Sequence, residues 1–166
     1  FWQCATTTKS PQSSSSVHLN AGGWGLSRRW RIVISSADGH YSEEQRHAWA
    51  PSVPDTEKLR LRLEPIIVFV AEDRSGIVGF MTLDDTGYID LAFVRPDRIG
   101  TGIGSLLYAR VEQAAQSQDL PRLFTNASKL AKPFFEKHGW AVCKQQEVDH
   151  RGVMLTNFSM EKLLTK

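Results

Sequence analysis

The second half of the chain alternates short apolar runs with one long apolar stripe at helical spacing. The runs are rich in β-branched and aromatic residues and are bounded by turn residues, which predicts strands. These predicted strands span 66–71, 77–83, 88–94, 122–126, 140–148 and 153–160. Apolar side chains recur every three or four positions from 103 to 116, which predicts a helix. This helix favours a right-handed crossover between parallel strands at 88–94 and 122–126, and therefore a mixed α/β sheet.

The first 64 residues carry a weaker pattern. Helices are predicted over 24–37, from Ser42 onward and over 55–63. Residues 1–16 include eight Ser or Thr and are predicted to be a flexible segment, followed by a single domain at 17–166. Either 1–7 or 16–19 supplies the first strand, and the sequence leaves these alternatives open. With that strand, the sheet has about seven strands.

Composition narrows the class of protein. A chain of 166 residues with 41% apolar residues is long enough for one packed domain. A net charge of +2 without long Lys/Arg blocks argues against nucleic acid as a partner. Two cysteines and five scattered histidines suggest neither a disulfide framework nor a metal site, so we expect a metal-free protein of the reducing cytoplasm. The lack of a long apolar run argues against a membrane location.

Three glycines separate the predicted strand at 88–94 from the predicted helix. Gly100, Gly102 and Gly104 allow successive backbone N–H groups to turn inward, and the helix N-terminus adds about half a positive charge. This combination predicts an anion site that fits a pyrophosphate. The G-x-G-x-G spacing matches neither a Walker loop, which ends in Gly-Lys-Ser/Thr, nor the dinucleotide fingerprint G-x-G-x-x-G.

This stretch resembles motif A of the GNAT superfamily of acyl-CoA N-acetyltransferases, a strand ending Val-x-Pro followed by Gln/Arg-x-x-Gly-x-Gly/Ala. Gly102 and Gly104 occupy the two small-residue positions, while Ile99 stands at the basic position with Arg98 one residue earlier. The segment 131–140 also resembles the family's Ala-x-x-Phe-Tyr-x-x-x-Gly-Phe, with Phe135 at the Tyr position. The resemblance extends from about residue 41 to 164.

The resemblance implies a mixed, mainly antiparallel sheet with a central splayed parallel pair, flanked by helices. It also implies acetyl-CoA as cosubstrate, with the pantetheine arm in the gap between the splayed strands. The residues expected to bind it are Phe93, Val94, Arg98, Gly100, Thr101, Gly102, Ile103, Gly104, Ser105, Asn126 and Phe135. The Phe93 N–H is expected to polarise the thioester carbonyl.

The acceptor amine must lose a proton, because an alkyl ammonium has a pKa of about 10. Asp90 lies where the family often has a carboxylate base, with Glu72 and His138 as weaker alternatives. Phe135 cannot protonate the leaving thiolate, so water or another residue such as Tyr88 would do so. Cys143 is interpreted as a core residue rather than an acyl carrier.

The expected activity is transfer of an acetyl group to a primary amine of a small molecule or peptide, by direct attack. Tyr41, His47 and Trp49 lie in the region that often lines the acceptor pocket in this superfamily. A homodimer is compatible with the resemblance, whereas a nucleic-acid or membrane partner is not expected. Two alternatives remain at this stage: a CoA-binding or acyl-CoA-sensing domain without turnover, and an unrelated phosphate-binding module.

Overall fold

The computed structural model describes residues 16–19, 65–150 and 152–164, with backbone only for 16–19 and for residue 150. The elements in chain order are β1 Ser16–Leu19, β2 Ile67–Asp73, β3 Gly76–Leu83, β4 Tyr88–Ile89, β5 Ala92–Val94, a 3₁₀ turn Pro96–Arg98, α1 Ile103–Ser117, β6 Arg122–Ser128, α2 Lys132–Lys137, β7 Ala141–His150 and β8 Val153–Leu163. The helices predicted at 24–37, from 42 and at 55–63 lie outside the described residues.

The strands form two four-stranded sheets, ordered β1-β2-β3-β5 and β4-β6-β8-β7. Every pairing is antiparallel except that of β4 with β6, which is parallel. The predicted mixed, mainly antiparallel sheet with a central parallel pair is therefore confirmed. Of the two alternatives for the first strand, 16–19 forms β1 beside β2, whereas 1–7 lies outside the described residues.

The strand predicted at 88–94 is divided into β4 and β5, and this division separates the two sheets. The N–H of Asp84, the residue after β3, donates to the Tyr88 carbonyl. Two residues earlier, within β3, the Thr82 N–H donates to the Leu91 carbonyl, so the register shifts by one residue. Such a shift is a β-bulge, which bends a strand and re-aims its side chains. The buried Thr82 hydroxyl stabilises the bulge by accepting the Leu91 N–H at 2.9 Å.

After the bulge, the chain leaves β6. Parallel pairing is limited to Tyr88 with Phe124 and Ile89 with Thr125, whereas β5 pairs only with β3. The predicted splay of the parallel pair is thus the change of partner sheet between β4 and β5.

Helix α1 packs against the sheets through an apolar stripe. Its buried residues are Ile103, Leu107, Tyr108, Val111 and Ala115. Burial raises the pKa of Tyr108, whose hydroxyl accepts hydrogen bonds from Trp140 Nε1 at 3.0 Å and Lys162 Nζ at 3.2 Å and donates to Glu112 at 3.0 Å. These bonds tie α1 to β8 and to the segment after α2, which fixes the helix that carries the glycine loop.

Candidate functional site

A cavity of about 320 Å³ lies between β5, the N-terminal end of α1 and α2. Its lining residues are Met81, Ala92, Phe93, Val94, Arg98, Ile99, Gly100, Gly102, Gly104, Ser105, Ser128, Leu130, Ala131, Phe134, Phe135 and Lys137. We call the lining residues within 96–105 the loop wall and the lining residues within 128–137 the helix wall. Most of the predicted loop residues are here, but most of the helix wall was not predicted.

The loop wall is shaped by two glycines in the left-handed region. Gly100 has φ of +81° and Gly102, the N-cap residue of α1, has φ of +91°. A Cβ atom at either position would meet no atom within 4 Å, so the space in front of this backbone is open. An open backbone at the start of a 15-residue helix suits an anion, because the helix dipole and the unpaired N–H groups of its first turn attract negative charge.

The third glycine serves the packing of helices rather than the cradle. Gly104 lies within α1, and a Cβ atom at this position would be 3.0 Å from Cε2 of Phe134. Gly104 therefore allows α2 to approach the N-terminal end of α1. Phe134 in turn packs edge-on against Tyr108 and Phe135, so the approach of the two helices is supported from the core.

The helix wall begins at the end of β6. The Ser128 hydroxyl accepts the Ala131 N–H at 3.1 Å, and a proline occupies the first turn of α2. Phe134 and Lys137 are three residues apart, which places them on one side of α2, and both line the cavity together with Leu130 from the preceding turn. This spacing is the signal by which sequence reasoning could have found the helix wall.

Arg98 lines the cavity, but two carboxylates hold its guanidinium. Its Nε and Nη2 donate to Asp73 Oδ2 at 3.0 and 2.9 Å, and its Nη1 donates to Asp97 at 3.1 Å. Hydrogen bonds from Ser75, together with Arg98, hold the pKa of Asp73 at about 2, so this carboxylate is ionised at neutral pH. The expected phosphate contact of Arg98 stays a prediction, for a side chain whose charge is already balanced by Asp73 and Asp97.

The register of β5 also corrects the predicted oxyanion donor. The Arg95 N–H donates to the Val78 carbonyl, and hydrogen-bonded pairs alternate along an antiparallel ladder. Phe93, which is opposite Phe80, is therefore in a hydrogen-bonded pair, and its N–H points toward β3. The N–H groups of Ala92 and Val94 point to the other side of β5, toward the gap that opens beside β6.

Three further predicted residues do not line the cavity. Asn126 is exposed on β6, where its Nδ2 donates to the Tyr88 hydroxyl at 3.3 Å and its Oδ1 accepts from Gln146 at 3.1 Å. Ser128, two residues later, lines the cavity as Asn126 was expected to do. The Thr101 hydroxyl donates to the Arg98 carbonyl, and Ile103 is 6% exposed in the core.

The catalytic predictions stay predictions. Asp90 lies at the bulge between β4 and β5, is partly buried and does not line the cavity, whereas Phe135 is 1% exposed and lines it. Glu72, His138 and Cys143 do not line the cavity, and the Nδ1 of His138 is 2.8 Å from the Phe134 carbonyl oxygen. The interpretation of Cys143 as a core residue is wrong, because this residue is exposed on β7. The predicted acceptor residues, Tyr41, His47 and Trp49, lie outside the described residues.

The arrangement suits a long ligand with an anionic end and an apolar end. The open backbone of Gly100 and Gly102 lies at one end, and Phe135 and Met81 are apolar lining. Ala92 lines the cavity, and its N–H, on the edge of β5 that faces away from β3, can pair with an amide-containing chain. The residues present therefore fit a pyrophosphate attached to a pantetheine arm.

Comparisons with known proteins agree with this geometry. The model of the acetyltransferase (GNAT) domain family matches residues 37–162. The uncharacterized N-acetyltransferase YafP of Escherichia coli (strain K12) is 36% identical over 130 residues, which cover 78% of this chain and 81% of YafP. Among solved structures, a GCN5-related N-acetyltransferase from Rhodopseudomonas palustris is 28% identical with a TM-score of 0.84, covering 95% of this chain and 100% of its own.

A more distant structure shares the fold. The PaiA N-acetyltransferase of Thermoplasma acidophilum, solved in complex with coenzyme A, is 18% identical with a TM-score of 0.66, covering 90% of this chain and 99% of its own. Within residues 65–150 and 152–164, no helix has the length and apolar character needed to span a membrane.

Proposed function

We propose, from the premise that this chain belongs to the GNAT family of acetyltransferases, that it transfers the acetyl group of acetyl-CoA to a primary amine of a small molecule or peptide. The observation that carries the proposal is the cavity between the loop wall and the helix wall, which begins at an open glycine backbone and reaches the gap between β5 and β6. A related fold binds coenzyme A in the PaiA structure, which supports the same ligand here.

Acetyl-CoA, when bound, supplies an activated thioester carbonyl. The loop wall would hold its pyrophosphate through backbone N–H groups and the N-terminal end of α1. The edge of β5 would orient the pantetheine amides, and Phe135 would exclude water around the sulfur because its ring is apolar and 1% exposed.

The oxyanion donor is assigned to Ala92 rather than Phe93. Its N–H points away from β3, it lines the cavity, and it directly follows the bulge where the gap opens. A well-placed backbone donor lowers the barrier of acyl transfer by about 3 kcal/mol in other enzymes. Because the bulge sets which N–H groups face the gap, Thr82 becomes a positioning residue for this donor.

Asp90 is proposed to accept the proton of the acceptor ammonium. Its place at the bulge puts a carboxylate at the point where the sheets separate and where an amine can approach the gap. Replacing Asp90 by Asn keeps the shape of the side chain and removes its basicity. Turnover should then fall by roughly 100-fold at pH 7, and the deficit should shrink as the pH approaches the pKa of the amine.

The proposal is tested in two stages. Calorimetry measures binding of CoA and acetyl-CoA to the parent chain, and an amine and peptide screen then detects released CoA thiol. Binding with thiol release that depends on an amine supports the proposal. Binding without release across the whole screen would instead favour a CoA-sensing domain, and no binding would refute both. A pH profile of Asp90→Asn parallel to that of the parent would remove Asp90 from the mechanism.

A further inference from the structure

Two cationic side chains line the cavity, and only one of them has its charge balanced. Arg98 on the loop wall is bonded to Asp73 and Asp97. Lys137 on the helix wall has no carboxylate within ion-pair distance in the part of the chain that the structure describes. The helix wall therefore carries a net positive charge into the cavity that Gly100 and Gly102 also line.

The loop wall adds no net charge of its own. Arg95 is paired with Asp97 at its Nη2 at 2.8 Å, and Arg98 is shared between Asp97 and Asp73. Two guanidinium groups thus face two carboxylates, and the next residue, Ile99, is apolar and 55% exposed. An anion at the glycines would meet backbone N–H groups here but no unbalanced side-chain cation.

The other lysine of α2, Lys132, does not line the cavity. Lys132 lies over the Phe158 ring at 4.9 Å and pairs with Glu136 at 3.4 Å, so its ammonium is directed away from the cavity. Lys137 is exposed at the last turn of α2 and lines the cavity. A lysine at a helix C-terminus is favourable for the helix dipole alone, but that role does not require the side chain to line a cavity.

We infer that Lys137 binds a phosphate group of the nucleotide half of CoA, since the basic side chain that lines the loop wall, Arg98, is already paired with carboxylates. The Gly104–Phe134 contact brings α2 close enough to the loop for the two walls to bind one ligand between them. This inference rests on the proposed function, because it takes CoA as the ligand. It assigns backbone recognition to the loop wall and charge recognition to the helix wall.

The test is binding, measured by calorimetry on the full chain, of CoA, dephospho-CoA and pantetheine. Lys137→Ala should weaken CoA binding about tenfold, as expected for loss of a charge-assisted hydrogen bond, and Lys137→Arg should stay within about threefold of the parent. Lys132→Ala, from the same helix, should bind like the parent. Pantetheine, which has no phosphate, should bind equally to the parent and to Lys137→Ala.

Dephospho-CoA identifies the phosphate. If the effect of Lys137→Ala disappears with this ligand, Lys137 contacts the 3′-phosphate, and if the effect persists, the contact is with the pyrophosphate. Equal CoA affinity of parent and Lys137→Ala would overturn the inference, as would an equal loss with pantetheine. A parent chain that does not bind CoA would refute the proposed function itself and this inference with it. Melting temperatures of all variants show that each one is folded.

Discussion

The two walls of the cavity recognise a ligand by different means. The loop wall offers backbone: Gly100 and Gly102 leave open space in front of peptide groups, and the nearby Arg98 is held by carboxylates. The helix wall offers side chains, with apolar Phe134 and Phe135 and a lysine whose charge is not balanced within the described residues. One wall depends on local conformation, and the other depends on how α2 packs against α1.

Because of this difference, the two walls should tolerate different substitutions. A backbone cradle is destroyed by a single side chain of the wrong shape but does not depend on the identity of its neighbours. A wall of side chains can be changed residue by residue, with effects that depend on the atoms lost. We therefore expect substitutions at Gly100 and Gly102 to act on binding in an all-or-none manner, and substitutions in the helix wall to act by degrees.

The largest effect is expected for Gly102→Val. Its Cβ branches would enter the open space in front of the loop, and a β-branched residue at φ of +91° is strained. Affinity for CoA should fall by more than about 100-fold. Gly152→Val is the matched control, because Gly152 has φ of +83°, equally open surroundings and a place in the turn before β8. If Gly102→Val binds CoA as the parent does while remaining folded, the cradle is wrongly assigned.

A second substitution, Gly104→Ala, tests the spacing between the two walls without adding a side chain at Gly100 or Gly102. Gly104→Ala would place a Cβ atom 3.0 Å from the Phe134 ring, so α2 has to move by some tenths of an ångström. Affinity for CoA should fall about three- to tenfold, although Gly→Ala within a helix favours folding by up to about 1 kcal/mol. Calorimetry and urea unfolding measure the two effects, and adding Phe134→Leu should restore binding. Failure of that rescue would mean that the contact does not set the spacing of the walls.

Local signals predicted part of the structure. The glycine spacing predicted an unobstructed backbone before the helix, and apolar patterning predicted α1 to within one residue at its C-terminal end. Contacts with distant residues were not predictable from these signals. Asp73 precedes its partner Arg98 by 25 positions, and the break of the strand at 88–94 depends on Thr82. The donor N–H was assigned to Phe93 because the bulge, which sets the register, is not visible in the apolar pattern.

A smaller effect, on turnover, is expected for Phe135→Tyr in the helix wall. This ring lines the cavity and packs on Trp140 with centroids 4.7 Å apart, so it shapes the wall but has no proton to donate. Phe135→Tyr adds a hydroxyl near the sulfur and should leave turnover unchanged or raise it by up to about threefold. Steady-state rates with the acceptor found in the screen measure the effect. A large fall in turnover with CoA affinity intact would show that the apolar ring itself is required.

The smallest effect is expected in the pH dependence of stability. It concerns Asp73, whose carboxylate balances part of the charge of Arg98. Bonds from Ser75, and then Arg98, lower its pKa from 3.8 to about 2, so the folded state favours the ionised carboxylate. A lowered pKa contributes stability that is fully present above pH 4 and is lost as the pH falls through 2. Urea midpoints of Asp73→Asn should therefore vary less than those of the parent between pH 4 and pH 2. Equal slopes in the two proteins would show that the bonds from Ser75 and Arg98 do not favour the ionised form of Asp73 in the folded state.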